Sequence, residues 1–128
     1  MKKRILLIDD DKICNFITET TLNRLGVAEE IQAVLHGKEA FEYINHALSG
    51  NQILPDVIFL DLNMPLMNGF TFIESFMKLD FPKKEKVKIV VLTSSENPED
   101  IVKVKKLGIN YYLTKPINES KLLEILKN

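Results

Sequence analysis

Short apolar runs alternate along this chain with longer segments that are apolar on one side only. The first run, Arg4 to Ile8, is rich in Ile and Leu and predicts a strand. Lys12 to Leu25 follows, with Cys14, Ile17, Thr21 and Leu25 at three- and four-residue steps, the period of a helix with one inward face. Gly26 predicts its stop. Glu30 to Leu35 alternates as a second strand. Lys38 to Leu48 has a helical period, with Ala40, Ile44, Ala47 and Leu48 on one face, and Ser49-Gly50-Asn51 breaks it. Val57 to Leu60 is the third apolar run. Asn68 to Leu79 predicts a helix with Phe72, Phe76 and Leu79 on one side, and Pro82 to Lys86 a polar connection. Val87 to Leu92 is the fourth strand. Asn97-Pro98 opens the next helix, Asn as cap and Pro in the first turn, with Ile101, Val104 and Leu107 inward and Gly108 at its close. Tyr111 to Thr114 is the fifth strand, and Asn118 caps a last helix carrying Leu122, Ile125 and Leu126.

Strands that alternate with helices predict an α/β fold, a mostly parallel sheet with helices on both faces. Near-continuous apolar strands fit a sheet buried on both sides. Neither repeat nor low-complexity linker interrupts the pattern. The expectation is a single domain over residues 1–128, with nothing left for an output domain.

Composition narrows the class. Acids and bases nearly balance at a net charge of -1, so no overall field steers the chain to nucleic acid or to an acidic membrane. A lone cysteine, Cys14, forms no internal disulfide and leans towards a reducing compartment. The opening MKKRILLIDDD has too short an apolar stretch for a signal peptide, and no segment is long enough to span a bilayer. The expected location is the cytoplasm.

In a doubly wound sheet, ligands bind beyond the carboxyl ends of the strands. Asp9, Asp10 and Asp11 follow the first strand, Asp61 and Asn63 the third, Thr93, Ser94 and Ser95 the fourth, and Lys115-Pro116 the fifth. The fold gathers these distant residues at one edge. Clustered carboxylates repel, and a divalent cation relieves that conflict. An all-oxygen set suits Mg²⁺ or Mn²⁺ rather than zinc. A carboxylate beside such a cation can attack phosphorus and become an aspartyl phosphate. The charge on the phosphoryl oxygens then calls for a cation, a lysine and a hydroxyl, which Asp10 with its metal, Lys115 and Thr93 supply.

The segments ILLIDDD, PDVIFLDLNMPLMNG, VVLTSS and YYLTKP resemble, in order and spacing, the signature blocks of two-component response regulator receiver domains. The likeness is to stand-alone, chemotaxis-regulator-like members. It implies a flavodoxin-like (βα)5 fold with strand order 2-1-3-4-5. It implies that Asp61 is the phosphoacceptor, and that Asp10, with Asp9, Asp61 and the Asn63 backbone carbonyl, organises Mg²⁺. It implies that Thr93 and Lys115 contact the phosphoryl group and that the Lys115-Pro116 peptide is cis. Tyr112, three residues before the lysine, falls where the family carries its switch aromatic; a packing tyrosine is the competing reading. The implied donor is a sensor histidine kinase or a phosphotransfer protein. The implied output is a change of affinity for an unidentified protein by population shift, in a monomer or weak homodimer that binds neither nucleic acid nor membrane. Asn63 and Ser95 stand where the family tunes access of water, and both are small and polar, so self-hydrolysis is not expected to be fully blocked.

Other residues have plainer readings. Asp11 is the candidate helix cap, and Asp56 precedes its strand and belongs at the wrong end of the sheet. His46 lacks partners at ligand spacing and His36 begins the second helix away from the acidic edge, so both read as structural or solvated, and Cys14 reads as a small core residue. Gly37, Gly69 and Gly108 read as turn or helix-end glycines.

Three other functions compete. A haloacid-dehalogenase-type phosphatase also forms an aspartyl phosphate, but its nucleophile follows the first strand in a DxD pattern, whereas Asp61-Leu62-Asn63 follows the third. A flavin-binding electron carrier needs a phosphate loop where three aspartates stand. A receiver-like scaffold without phosphorylation usually loses part of the acidic set, which is complete here. The expected class is a signalling protein, not an enzyme, with only self-phosphorylation and autodephosphorylation chemistry.

Overall fold

The computed structural model describes residues 2–50, 53–64 and 68–127. Strands β1 (Lys3–Ile8), β2 (Ala28–Val34), β3 (Val57–Leu60), β4 (Lys88–Thr93) and β5 (Tyr111–Thr114) alternate with helices α1 (Lys12–Leu25), α2 (Gly37–Leu48), α3 (Gly69–Lys78), α4 (Pro98–Lys106) and α5 (Glu119–Lys127). The strands form one parallel sheet in the order β2-β1-β3-β4-β5. This is the expected flavodoxin-like (βα)5 architecture.

Alternation along each central strand feeds two cores. Leu6, Ile8, Ile58, Leu60, Ile89 and Val91 point to the layer that holds Ala40 and Ile44 of α2, Phe72 and Phe76 of α3 and Val104 of α4. Ile5, Leu7, Val57, Phe59, Val90 and Leu92 point to the layer of Leu22 of α1 and Leu122 and Leu126 of α5. Both faces of the sheet are therefore dry, which explains why β3 is buried along its whole length. Three asparagines cap their helices, Asn97 and Asn118 as expected. Asn68 accepts from the Thr71 N–H, Asn97 from the Glu99 N–H, and Asn118 from the Lys121 N–H. Gly26 ends α1 at φ 70°, the left-handed region in which glycine is unstrained.

The boundaries depart in small ways. β2 begins at Ala28, before Glu30, and β4 runs one residue later than the apolar run, so Thr93 belongs to it. A short 3₁₀ turn, Lys84–Lys86, interrupts the polar connection before β4. Leu48 stays exposed at the end of α2, and Asn51 of the predicted break lies outside the described residues.

The larger correction concerns α1. Its buried residues are Asn15, Thr18 and Leu22, not the stripe through Cys14 and Ile17. Ile17 is 52% exposed, and Ile13 and Phe16 are 70% and 67% exposed. The Asp11 cap sets where the helix begins, and the Asn15 amide donates to the carbonyls of Asp9 and Val34. That pairing turns a polar position inward and rolls the apolar stripe towards solvent. Cys14 is accordingly half-buried rather than a core residue.

Candidate functional site

Parallel register brings the predicted residues to one edge. Ile8 pairs with Leu60, Leu60 with Val91, and Thr93 with Thr114. Asp9, Asp61 and Lys115 each follow a strand end directly. The connecting backbone is bonded: Asp61 N–H to the Ile8 carbonyl at 3.0 Å, Asp9 N–H to the Val34 carbonyl at 3.2 Å, and Lys115 N–H to the Thr93 carbonyl at 2.8 Å.

Side chains from four strand ends then meet at Asp61. Its Oδ1 accepts from the Thr93 hydroxyl at 2.7 Å and from the Asn63 N–H at 3.2 Å. Lys115 Nζ lies 2.6 Å from Asp9 Oδ2 and 3.3 Å from Asp61 Oδ2. Asp9 Oδ1 takes the Asp11 N–H at 2.9 Å. Asp9, Asp61 and Thr93 are buried, whereas Asp10 is exposed. Asp9, Asp10 and Asp61 each offer an oxygen within 4.8 Å of the others, a spacing that one cation can bridge.

The electrostatics follow from this crowding. Burial pushes the Asp9 carboxyl above its ordinary value; the bonds from Lys115 and Asp11 oppose the rise, and the charge of Asp61 adds to it. Burial alone would lower the Lys115 ammonium, but the Asp9 hydrogen bond and the charges of Asp61 and Asp9 outweigh it and push it up. Lys115 thus stays charged at any physiological pH, standing between two carboxylates.

The neighbouring residues are also defined. The Lys115–Pro116 peptide is cis. The Tyr112 ring packs on the core layer beneath α4, and its hydroxyl donates to the Ser95 carbonyl at 2.8 Å. Burial raises the Tyr112 phenol, and the nearby charges of Asp100 and Asp61 add to the rise against the Ser95 bond. Asn63 is exposed, and Ser95 is half-buried with its hydroxyl 2.5 Å from Asp100 Oδ2. Pro65, Leu66 and Met67 of the third signature block lie outside the described residues. Asp11 caps α1, accepting from the Ile13 and Cys14 N–H groups. Asp56 sits at the opposite end of the sheet, bonded to the Arg4 backbone. His36 caps α2, accepting from the Glu39 N–H, and His46 is exposed. A groove of about 550 Å³ also lies at that opposite end, lined by Phe76, Lys84, Lys88 and Tyr111, but the carboxylates, Thr93 and the Lys115 ammonium do not converge there.

Two features escaped sequence reasoning. One is Asn15, whose buried amide ties the Asp9 carbonyl to the end of β2. A polar residue one turn after the Asp11 cap was the available signal. The other is Gly69, read as a helix-end glycine. A Cβ there would lie 2.7 Å from the Asp61 carbonyl oxygen and from Leu62 Cα, so α3 starts tight against the backbone that carries Asp61.

A family-wide comparison decides the class. The family model of the response regulator receiver domain matches residues 5–127. The chain belongs to this family. This receiver domain is 30% identical to the chemotaxis protein CheY1 of Helicobacter pylori over 124 residues, 97% of this chain and 94% of that protein. It is 31% identical to the CheY homolog of Campylobacter jejuni over 126 residues, covering 98% and 90% of the two chains. It superposes on a two-component response regulator from Cytophaga hutchinsonii with a TM-score of 0.89 and 33% identity, over 99% of this chain and 96% of that one. As a receiver domain of this type, it is a phosphorylation-dependent signalling switch. The phosphatase alternative finds no support, because the candidate nucleophile follows β3 rather than β1.

Proposed function

We propose that this receiver domain accepts a phosphoryl group on Asp61 from a histidine kinase or a phosphotransfer protein, and that the modified form changes its affinity for a protein partner. One observation carries the reading: a lysine, a fully buried hydroxyl and two further carboxylates converge on the Asp61 carboxylate. Alternatives explain this less well. An ordinary loop acid would not be buried beside two other acids, and a structural ion pair would not need the third.

The donor set fits a hard divalent cation such as Mg²⁺ or Mn²⁺. Asp9, Asp10 and Asp61 would hold it through carboxylate oxygens, and Asn63 through its backbone carbonyl. When bound, such a cation offsets the repulsion among the carboxylates and draws charge from a phosphoryl oxygen. The protein's own groups do the rest. An Asp61 oxygen forms the new bond to phosphorus while the P–N bond of the donor phosphohistidine breaks, and the departing imidazole keeps the electron pair. The Lys115 ammonium turns from Asp61 to a phosphoryl oxygen, and the Thr93 hydroxyl donates to another. Tyr112, bonded to the connection that follows Thr93, reports that change to the face of α4 and β5. Hydrolysis reverses the modification, with Asn63 and Ser95 leaving room for water. Among the described residues no helix is long and apolar enough to cross a membrane, and a histidine kinase as donor implies the cytoplasm.

The test is incubation with Mg²⁺ and acetyl phosphate, followed by intact mass. The expected result is a single base-labile phosphoryl adduct that is absent without the divalent cation and absent in Asp61→Asn. An unmodified wild type, with a cognate kinase also failing as donor, would refute the reading.

A further inference from the structure

The connection between β4 and α4 is held from both sides. On one side the Ser95 N–H points at the Thr93 hydroxyl at 3.4 Å, and that hydroxyl donates to Asp61. On the other, the Ser95 hydroxyl donates to Asp100 Oδ2 at 2.5 Å, a short bond to a charged acceptor. The same hydroxyl lies 3.4 Å from the Asn97 N–H. Ser95 also provides the carbonyl on which the Tyr112 hydroxyl rests. Asp61, Thr93, Ser95 and Asp100 thus form one hydrogen-bonded series, with Tyr112 attached at Ser95. Asp100 is its only member on a helix, in the first turn of α4.

We propose that Asp100 is a positioning residue for Tyr112: by holding the Ser95 hydroxyl it fixes the β4–α4 connection so that the Ser95 carbonyl meets the Tyr112 hydroxyl. The proposal rests on the reading of Tyr112 as the reporter of the state of Asp61. The charge-assisted Ser95–Asp100 bond is stronger than the Tyr112 bond to the Ser95 carbonyl, since the latter joins neutral groups. Losing the stronger bond frees the carbonyl that the weaker one needs. The competing explanation is simple capping. An acid in the first turn of a helix is favourable there whatever it touches. Glu99 separates the two, because it is an exposed acid in the same turn and is not bonded to Ser95. The consequence for signalling is reciprocal. A partner that gripped the first turn of α4 through Asp100 would release Tyr112, and the ring position would in turn bias that partner's binding.

The experiment reads the Tyr112 ring by NMR in protein labelled with ¹³C-tyrosine, assigned against Tyr112→Phe, with neither Mg²⁺ nor phosphodonor present. Asp100→Ala moves the Tyr112 ring signals towards those of an exposed tyrosine, and Ser95→Ala moves them as far. The double variant shows no shift beyond that of Ser95→Ala, because both changes break the Ser95–Asp100 bond. Asp100→Asn, which keeps an oxygen acceptor, restores the native position, and Glu99→Ala leaves it unchanged. Thermal melts establish that each variant is folded, and Ser95→Ala carries the comparison with the wild type if Asp100→Ala is not. An unmoved ring in Asp100→Ala, an equal shift in Glu99→Ala, or additive shifts in the double variant would overturn the proposal. Failure of Asp61 to accept phosphate would leave this result standing, because the measurement needs no phosphorylation.

Discussion

Lys115 is the residue on which the site's electrostatics turn. Its ammonium is shared by Asp9 and Asp61, two of the three acids that would hold a cation. Lysine and a bound cation would therefore compete for the same charge in the unmodified protein. Lys115→Ala is expected to bind Mg²⁺ more tightly than the wild type in a calorimetric titration, while accepting phosphate more slowly. Equal or weaker binding would show that the lysine does not oppose the cation. Cys14 offers a second test at this scale. Burial, then its contact with Asp11, pushes its thiol above the ordinary value. At a given pH the thiolate is therefore scarcer in the folded chain than in the unfolded one. Alkylation of Cys14 should run slower in native protein than in denaturant at pH 8, and should keep accelerating beyond the ordinary thiol pKa of 9.0. Faster alkylation of the native form would contradict the assignment.

Elements place these residues, and two of their ends are sharp enough to test. Asp11→Ala removes the α1 cap, which should cost about 1 kcal/mol in urea unfolding while leaving Mg²⁺ affinity unchanged, separating it from Asp9 and Asp10. Gly69→Ala would force a Cβ against the Asp61 backbone, so α3 must retreat. A loss of roughly 1–3 kcal/mol is expected, as for overpacked cores, together with slower phosphorylation. An unaffected variant would mean that the α3 start yields freely. These elements also mark what the sequence disclosed. Four apolar runs and the alternation at Glu30 to Leu35 located the five strands, and Asn97 and Asn118 announced their helices because an Asx cap acts locally. The inward face of α1 was not legible. Cys14 and Ile17 have the right period, but which stripe turns inward depends on Asn15 reaching two carbonyls distant in sequence. Gly69 was visible as a glycine, yet its reason is a tertiary contact with β3. Asp9, Asp61, Thr93 and Lys115 were legible because parallel topology maps each strand's end onto one edge. The pairing of Lys115 with Asp9 was not, since no sequence period relates residues 106 positions apart.

At the scale of the whole molecule, stability and signalling share the same acids. Asp61 meets Asp9 and Asp10 only in the folded chain, so a cation that binds all three there stabilises the fold by mass action. Mg²⁺ at ~100-fold above its dissociation constant should add about 2.7 kcal/mol to the unfolding free energy of the wild type. The gain should shrink in Asp10→Asn, and equal gains in both would place the cation elsewhere. The central claim is narrower, that the phosphoryl group resides on Asp61 and on no neighbouring acid. Reduction of the phosphorylated protein with borohydride converts an acyl phosphate to the corresponding alcohol, which marks the site permanently for peptide mass mapping. The account predicts homoserine at position 61, dependent on Mg²⁺ and on the phosphodonor. Homoserine at position 9 or 10, or none in a chain that carries the phosphoryl adduct, would contradict it.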